Sequence, residues 1–146
     1  TGRSRSSAAI INEQKKNTSE GNQTAIEAMH KIKQSAIDTK LALLKGDVGE
    51  FARILGEGWE NKKKMAGAIT NPMIQEAFDV ATSAGAMAGK VSGAGRGGFI
   101  MFVVEPTRKE EVVRALNNLN GFVMPFQFID DGAHGWKIYS TDKVQK

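Results

Sequence analysis

Apolar residues in the first half of the chain recur at helical spacing. Ala8, Ile10 and Ile11 predict a short helix running to about Lys16, and Asn17 to Gly21 is a polar break. From Asn22 the series Ile26, Met29, Ile32, Ala36, Ile37, Leu41 and Leu44 follows the i, i+3, i+4 rule of an amphipathic helix. Gly46 falls just past its end, where a left-handed cap suits glycine. Asp47 and Glu50 make a D-x-x-E start for a further helix whose apolar face is Val48, Phe51, Leu55 and Trp59. Lys62, Lys63 and Lys64 close it where cations suit the helix dipole, and read as a solvated end. Asn71-Pro72 begins the next helix, since proline fits the first helical position. Ile74, Ala77, Phe78 and Ala81 form its buried face and Gly85 ends it.

The pattern then changes. Phe99 to Val104 is almost wholly apolar and β-prone, as in an internal strand. Thr107 and Glu110 predict a capping box for a helix striped by Val112, Val113, Leu116 and Leu119. Phe122, Met124, Phe126 and Phe128 alternate as one face of a strand, with Pro125 favouring an edge or bulge. Asp130, Asp131 and Gly132 read as a turn, and Trp136 to Tyr139 as a last strand. Trp59 and the Phe122 to Phe128 stripe are expected in the core. Helices first and strands later indicate an α+β sandwich rather than a doubly wound sheet.

Composition narrows the classes. The 146 residues suit one domain, and 40% hydrophobic with 25% charged residues is ordinary for a globular protein. The absence of cysteine excludes a disulfide scaffold, thiolate metal sites and a cysteine nucleophile, and fits a reducing cytoplasm. No apolar run approaches the roughly 18 residues of a membrane span. The sequons at Asn17 and Asn22 have no secretory signal before them and read as chance. A net charge of +4 accommodates an anion such as phosphate without calling for nucleic acid. The chain opens at Thr1-Gly2-Arg3 without a methionine, so a fragment or processed product is expected.

The segment Lys90-Val91-Ser92-Gly93-Ala94-Gly95-Arg96-Gly97-Gly98-Phe99 is the most informative. Four of the six residues from Gly93 to Gly98 are glycine, which permits positive φ and lets backbone N–H groups approach an anion. The plain alternative is a tight connection where two backbones pack closely. Gly93, Gly95 and Gly98 have the spacing of a dinucleotide loop, but that loop must follow a strand and open a helix. Here the expected order is helix, loop, strand. A Walker A loop ends in G-K-[ST], and this one ends Gly98-Phe99. Arg96-Gly97-Gly98-Phe99-Ile100-Met101-Phe102 has some likeness to the basic-Gly-aromatic strand of RNA-recognition modules, with Gly98 where an aromatic belongs. An anion-holding or RNA-binding module without catalysis therefore stays open beside an enzyme.

Lys90, Ser92, Gly93, Ala94, Gly95, Gly97 and Gly98 match in register the third signature of the GHMP kinases, approximately K-x-[ST]-G-A-G-x-G-G before an apolar strand. Asn71-Pro72, Ala84-Gly85-Ala86, Gly89-Lys90 and the opening Thr1-Gly2 with Arg5-Ser6 resemble that family's sugar-kinase branch. The resemblance covers nearly the whole chain. It implies a ferredoxin-like two-layer sandwich, an antiparallel sheet with packed helices, over residues 1–146 as the C-terminal domain of a longer enzyme. It also implies transfer of the γ-phosphoryl of MgATP to a sugar hydroxyl, with a heptose phosphate as acceptor. The nucleotide loop P-x-x-x-G-L-x-S-S and the usual catalytic Asp belong to the N-terminal half, so no catalytic residue is expected here, and the chain alone should be inactive. ATP and magnesium are expected on the complete enzyme, with that N-terminal domain as partner. Ser92, Gly93, Ala94, Gly95, Arg96, Gly97 and Gly98 are the expected support for the substrate and the phosphate loop.

Arg96 stands where the family usually has a small residue. Its guanidinium could grip a phosphate with two donors or turn to solvent. Arg3, Ser4 and Arg5 precede a helix and are candidates for the sugar's own phosphate, or else a solvated terminus. His30 and His134 have no partner at ligand spacing, so no metal site is assigned.

Overall fold

The computed structural model describes Thr1 and residues 7–137 of the chain. Five helices and two strands follow one another: α1 Ser7–Ser19, α2 Gln23–Lys45, α3 Val48–Met65, α4 Pro72–Ser83, β1 Ala86–Val91, β2 Ile100–Val104 and α5 Lys109–Leu116. Short 3₁₀ turns at Gly67–Ile69 and Pro106–Arg108 precede α4 and α5.

Local chemistry sets the helix starts. The side chains of Asn22, Asp47 and Asn71 accept from the backbone N–H groups of Ala25, Glu50 and Ile74 at 3.1, 2.9 and 3.0 Å. Each cap satisfies a donor that the first turn leaves without a partner, worth about 1 kcal/mol. Gly46, at φ 69°, closes α2 in the left-handed region. The expected cap at Thr107 does not form. Pro106 starts a 3₁₀ turn that contains Thr107, and α5 begins at Lys109 with no side-chain cap. The two sequon asparagines have structural roles: Asn22 caps α2, and Asn17 Nδ2 donates to the Met65 carbonyl at 2.8 Å.

α2 and α3, joined by Gly46 and Asp47, pack as a hairpin. The seam on α2 is not the stripe of larger residues. Ala25, Ala28 and Ala42 are buried, with Ile32, Ser35 and Thr39 half-buried between them. Met29, Ile37, Leu41 and Leu44 lie beside this seam and are exposed, Leu44 at 74%. Small residues at alternating steps of three and four let two helices approach closely, so the narrower face wins the contact. α3 in turn lies on β1, where a Cβ on Gly56 would sit 3.5 Å from the Ala88 methyl.

The fold is α+β with an antiparallel sheet, whose described residues give two strands, β1 paired with β2. The register runs from Val91↔Ile100 to Ala88↔Val103, then slips at Met87 so that Ala86 faces Val104. β1 was not expected: Ala-Met-Ala-Gly-Lys-Val has a single β-branched residue. It forms because α3 covers one face and Phe102 lies over Gly89, where a Cβ would come within 2.6 Å of the ring. Conversely, the alternating segment Phe122 to Phe128 is not a strand and not core. It is exposed, Phe128 at 90%, because no described strand offers it a backbone ladder. Of the expected last strand, Trp136 and Lys137 are exposed and without regular structure, and residues 138 and 139 lie outside the described residues.

The main core gathers Ile10, Trp59, Ala66, Ile69, Ile74 and Val91, with Phe78, Ala94 and Ile100 packed against it. Trp59 stacks on Phe78 at 5.4 Å between ring centroids and 5° between planes, and Phe78 meets Phe102 edge-on at 5.3 Å. A smaller cluster of Ala81, Ala86 and Val112 seats α5.

Candidate functional site

Residues 92–98 connect β1 to β2, so the glycine loop is the turn of a hairpin. This corrects the expected order of helix, loop, strand: a strand precedes the loop. A strand also follows it, so the helix N-terminus of a dinucleotide site is not there. The Ser92 N–H donates to the Phe99 carbonyl at 2.8 Å and closes the mouth of the hairpin.

Beyond that closure the chain takes the left-handed region four times, at Gly93 (φ 84°), Gly95 (119°), Arg96 (67°) and Gly98 (85°). Gly95 is the position where glycine is required twice over. Its φ is unfavourable for a side chain, and a Cβ there would stand 2.6 Å from the Ile69 carbonyl oxygen. That approach allows the Arg96 N–H to donate to the same carbonyl at 2.7 Å. Asn71 completes the clamp, donating through Nδ2 to the Arg96 carbonyl at 3.1 Å while its Oδ1 caps α4. The Ala94 methyl packs against the main core, and the Gly98 carbonyl accepts from the Thr1 hydroxyl at 2.8 Å.

Ser92, Gly93, Ala94, Gly95, Arg96, Gly97 and Gly98 are thus one continuous element. Among the described residues, the N–H groups of Gly93, Ala94, Gly95, Gly97 and Gly98 make no backbone hydrogen bond. A loop with its Gly93, Arg96 and Gly98 carbonyls tied, and with most of its N–H groups making no backbone hydrogen bond among the described residues, is chemically suited to an anion. Arg3, Ser4 and Arg5 lie outside the described residues. Arg96 contributes its backbone, and its side chain is exposed. Arg96→Gly should raise stability by up to about 1 kcal/mol in thermal melts, because glycine adopts this φ freely.

Three supports were not legible as such. Ile69 and Asn71 hold the loop through backbone and cap, and Lys62, expected in solvent, is half-buried with Nζ donating to the Gly93 carbonyl. Burial, then the like charge of Lys90, lowers the Lys62 pKa. The signal available was spacing: Lys62 lies three residues after buried Trp59, on the same side of α3.

His30 and His134 are exposed, the latter 3.9 Å from the Asp131 carboxylate at the turn. Among the described residues no three His, Cys, Asp or Glu side chains come together. None of their helices is long and apolar enough to cross a membrane. Of the aromatics on the strand after the loop, Phe102 packs edge-on against Phe78, and Phe99 is exposed at the strand's open end. An apolar groove of about 570 Å³ runs along β2 and α5, lined by Ile100, Phe102, Val112, Leu116, Phe122 and Met124 among others.

A hairpin turn of this sequence, clamped by a helix cap and backed by helices, defines a class. Residues 39–120 match the family of GHMP kinases, C-terminal domain, and the chain belongs to that family. It is 42% identical over 118 residues to the D-glycero-alpha-D-manno-heptose 7-phosphate kinase of Campylobacter jejuni subsp. jejuni serotype O:2, covering 81% of this chain and 35% of that protein. A crystal structure from Campylobacter jejuni, assigned as a sugar kinase, is 41% identical with a TM-score of 0.58, over 79% of this chain and 33% of that one. The L. major mevalonate kinase in complex with R-mevalonate shares the fold, with a TM-score of 0.71 at 18% identity, over 80% of this chain and 36% of that one. The chain spans about a third of the length of the relatives it matches.

Proposed function

We propose that this chain is the C-terminal part of an ATP-dependent sugar kinase that phosphorylates a hydroxyl of D-glycero-D-manno-heptose 7-phosphate. The carrying observation is the clamped Ser92–Gly98 loop, whose N–H groups are largely without a backbone hydrogen bond among the described residues, in a chain 42% identical to a heptose 7-phosphate kinase. Phosphoryl transfer needs little covalent help from protein and much positioning and charge stabilisation. A rigid loop rich in N–H donors supplies positioning, as a wall for the acceptor and for the loop that holds the phosphates. ATP and magnesium belong to the N-terminal domain in this reading.

The N-terminal domain is the principal partner. The groove beside β2 and exposed Phe99, Phe122 and Met124 are apolar surface of the kind a neighbouring domain covers. The complete enzyme acts in the cytoplasm, where ATP and phosphorylated sugars are both available. The test is ADP release by the complete protein with ATP, magnesium and the heptose 7-phosphate. Release that requires the heptose phosphate is expected. Release with a different sugar only would change the acceptor, and none with any sugar phosphate would return the loop to simple anion binding.

A further inference from the structure

The three lysines that end α3 have three different surroundings. Lys63 pairs with Glu60 at 2.6 Å, Lys64 is exposed, and Lys62 turns inward to the Gly93 carbonyl, 31 residues further along the chain. Among the described residues no carboxylate pairs with Lys62. A half-buried ammonium beside the like charge of Lys90 is an unfavourable arrangement for stability alone. Among the described residues its hydrogen bond goes to the loop, and a charged donor makes a stronger bond than a neutral one.

The loop is fastened at three places. Its middle is pinned at Gly95 and Arg96 by Ile69 and Asn71, and its end at Gly98 by Thr1. Between Ser92, whose N–H closes the hairpin, and Ala94, whose methyl is packed, Gly93 itself has nothing within 4 Å of where its Cβ would be. Glycine at φ 84° with open space around it is free to turn unless its carbonyl is held.

We propose that Lys62 is a positioning residue: by holding the Gly93 carbonyl, it keeps the first turn of the glycine loop in one conformation before any anionic ligand arrives. It touches the loop and acts on the ligand only through it. The kinetic part of this inference rests on the kinase reading, and the structural part does not.

Lys62→Met separates the roles. Removing a desolvated charge beside Lys90 should leave Tm unchanged or slightly higher. The Ser92 and Arg96 amides should nevertheless exchange hydrogen about ten-fold faster, the order expected for loss of a charged hydrogen bond at a partly exposed site. The Asp47 amide, bonded to the Ala42 carbonyl at the far end of α2, should be unaffected. Lys62→Arg, which restores a charged donor, should return most of the protection. In the complete kinase, Lys62→Met should raise KM for the sugar phosphate about ten-fold, with kcat and KM for ATP nearly unchanged. Unchanged loop exchange, or equal acceleration of all three amides, overturns the proposal. So does a sugar phosphate KM that stays at the parent value. If Lys62→Met fails to fold, the same comparison is made with Lys62→Gln, which keeps a neutral donor and should fall between Met and Arg. A parent enzyme that releases no ADP refutes the kinase reading and leaves the exchange result to decide on Lys62.

Discussion

Gly95→Ala should collapse the glycine loop and lower the stability of the domain by about 2–4 kcal/mol. Two costs combine. A side chain at φ 119° is strained in itself, and the new methyl would overlap the Ile69 carbonyl oxygen at 2.6 Å. The oxygen is backbone and cannot rotate away. It also accepts the Arg96 N–H at 2.7 Å, so relief of the overlap breaks the bond that fastens the loop. For a domain of this size the loss corresponds to a fall of roughly 6–12 °C in Tm. Gly93→Ala is the matched control, with a comparable φ of 84° but nothing within 4 Å, and should lose only about 1 kcal/mol. Equal melting points for the two variants would mean that the dihedral angle matters and the close approach does not. On the proposed kinase reading, displacing the loop by about an ångström should reduce kcat/KM of the complete protein roughly a hundred-fold.

Trp59→Ala should be the most destabilising single change in the helices, at about 3–5 kcal/mol. Trp59 is 4% exposed and stacks flat on Phe78, so truncation removes apolar burial and leaves a cavity beneath the sheet. Phe78 also holds Phe102, which covers Gly89, and the loss therefore reaches the hairpin that carries the loop. Trp59→Phe keeps a stacking partner and should cost clearly less. Urea unfolding of both variants measures the difference as a shift in midpoint at constant slope. A loss below 1 kcal/mol for Trp59→Ala would show that the stack does not anchor the core.

Much of the helical part was legible, and for definite reasons. Asn22, Asp47 and Asn71 announce their helices because a cap depends only on the residues within one turn of it. Gly46 and Pro72 mark their places through their own φ preferences. The loop motif Ser92 to Gly98 and the apolar strand after it stood out because glycine density and β-branching are local properties. The face that α2 buries was misread, because larger apolar residues at helical spacing outweighed the alanine seam that packs against α3.

What the sequence determined by itself was the set of local events: where helices begin and end, which loop can bend through positive φ, and the family that this loop identifies. Only the tertiary structure decided which weak segments become strands. Ala86–Val91 has poor intrinsic β preference and is a strand because α3 and Phe102 enclose it, while the better pattern at Phe122 to Phe128 lacks a partner and stays exposed. Tertiary structure likewise took Lys62 from an apparently solvated lysine run and set it on the Gly93 carbonyl. A cap or a turn is satisfied within a few residues, whereas a strand ladder and a buried cation depend on groups brought from far along the chain.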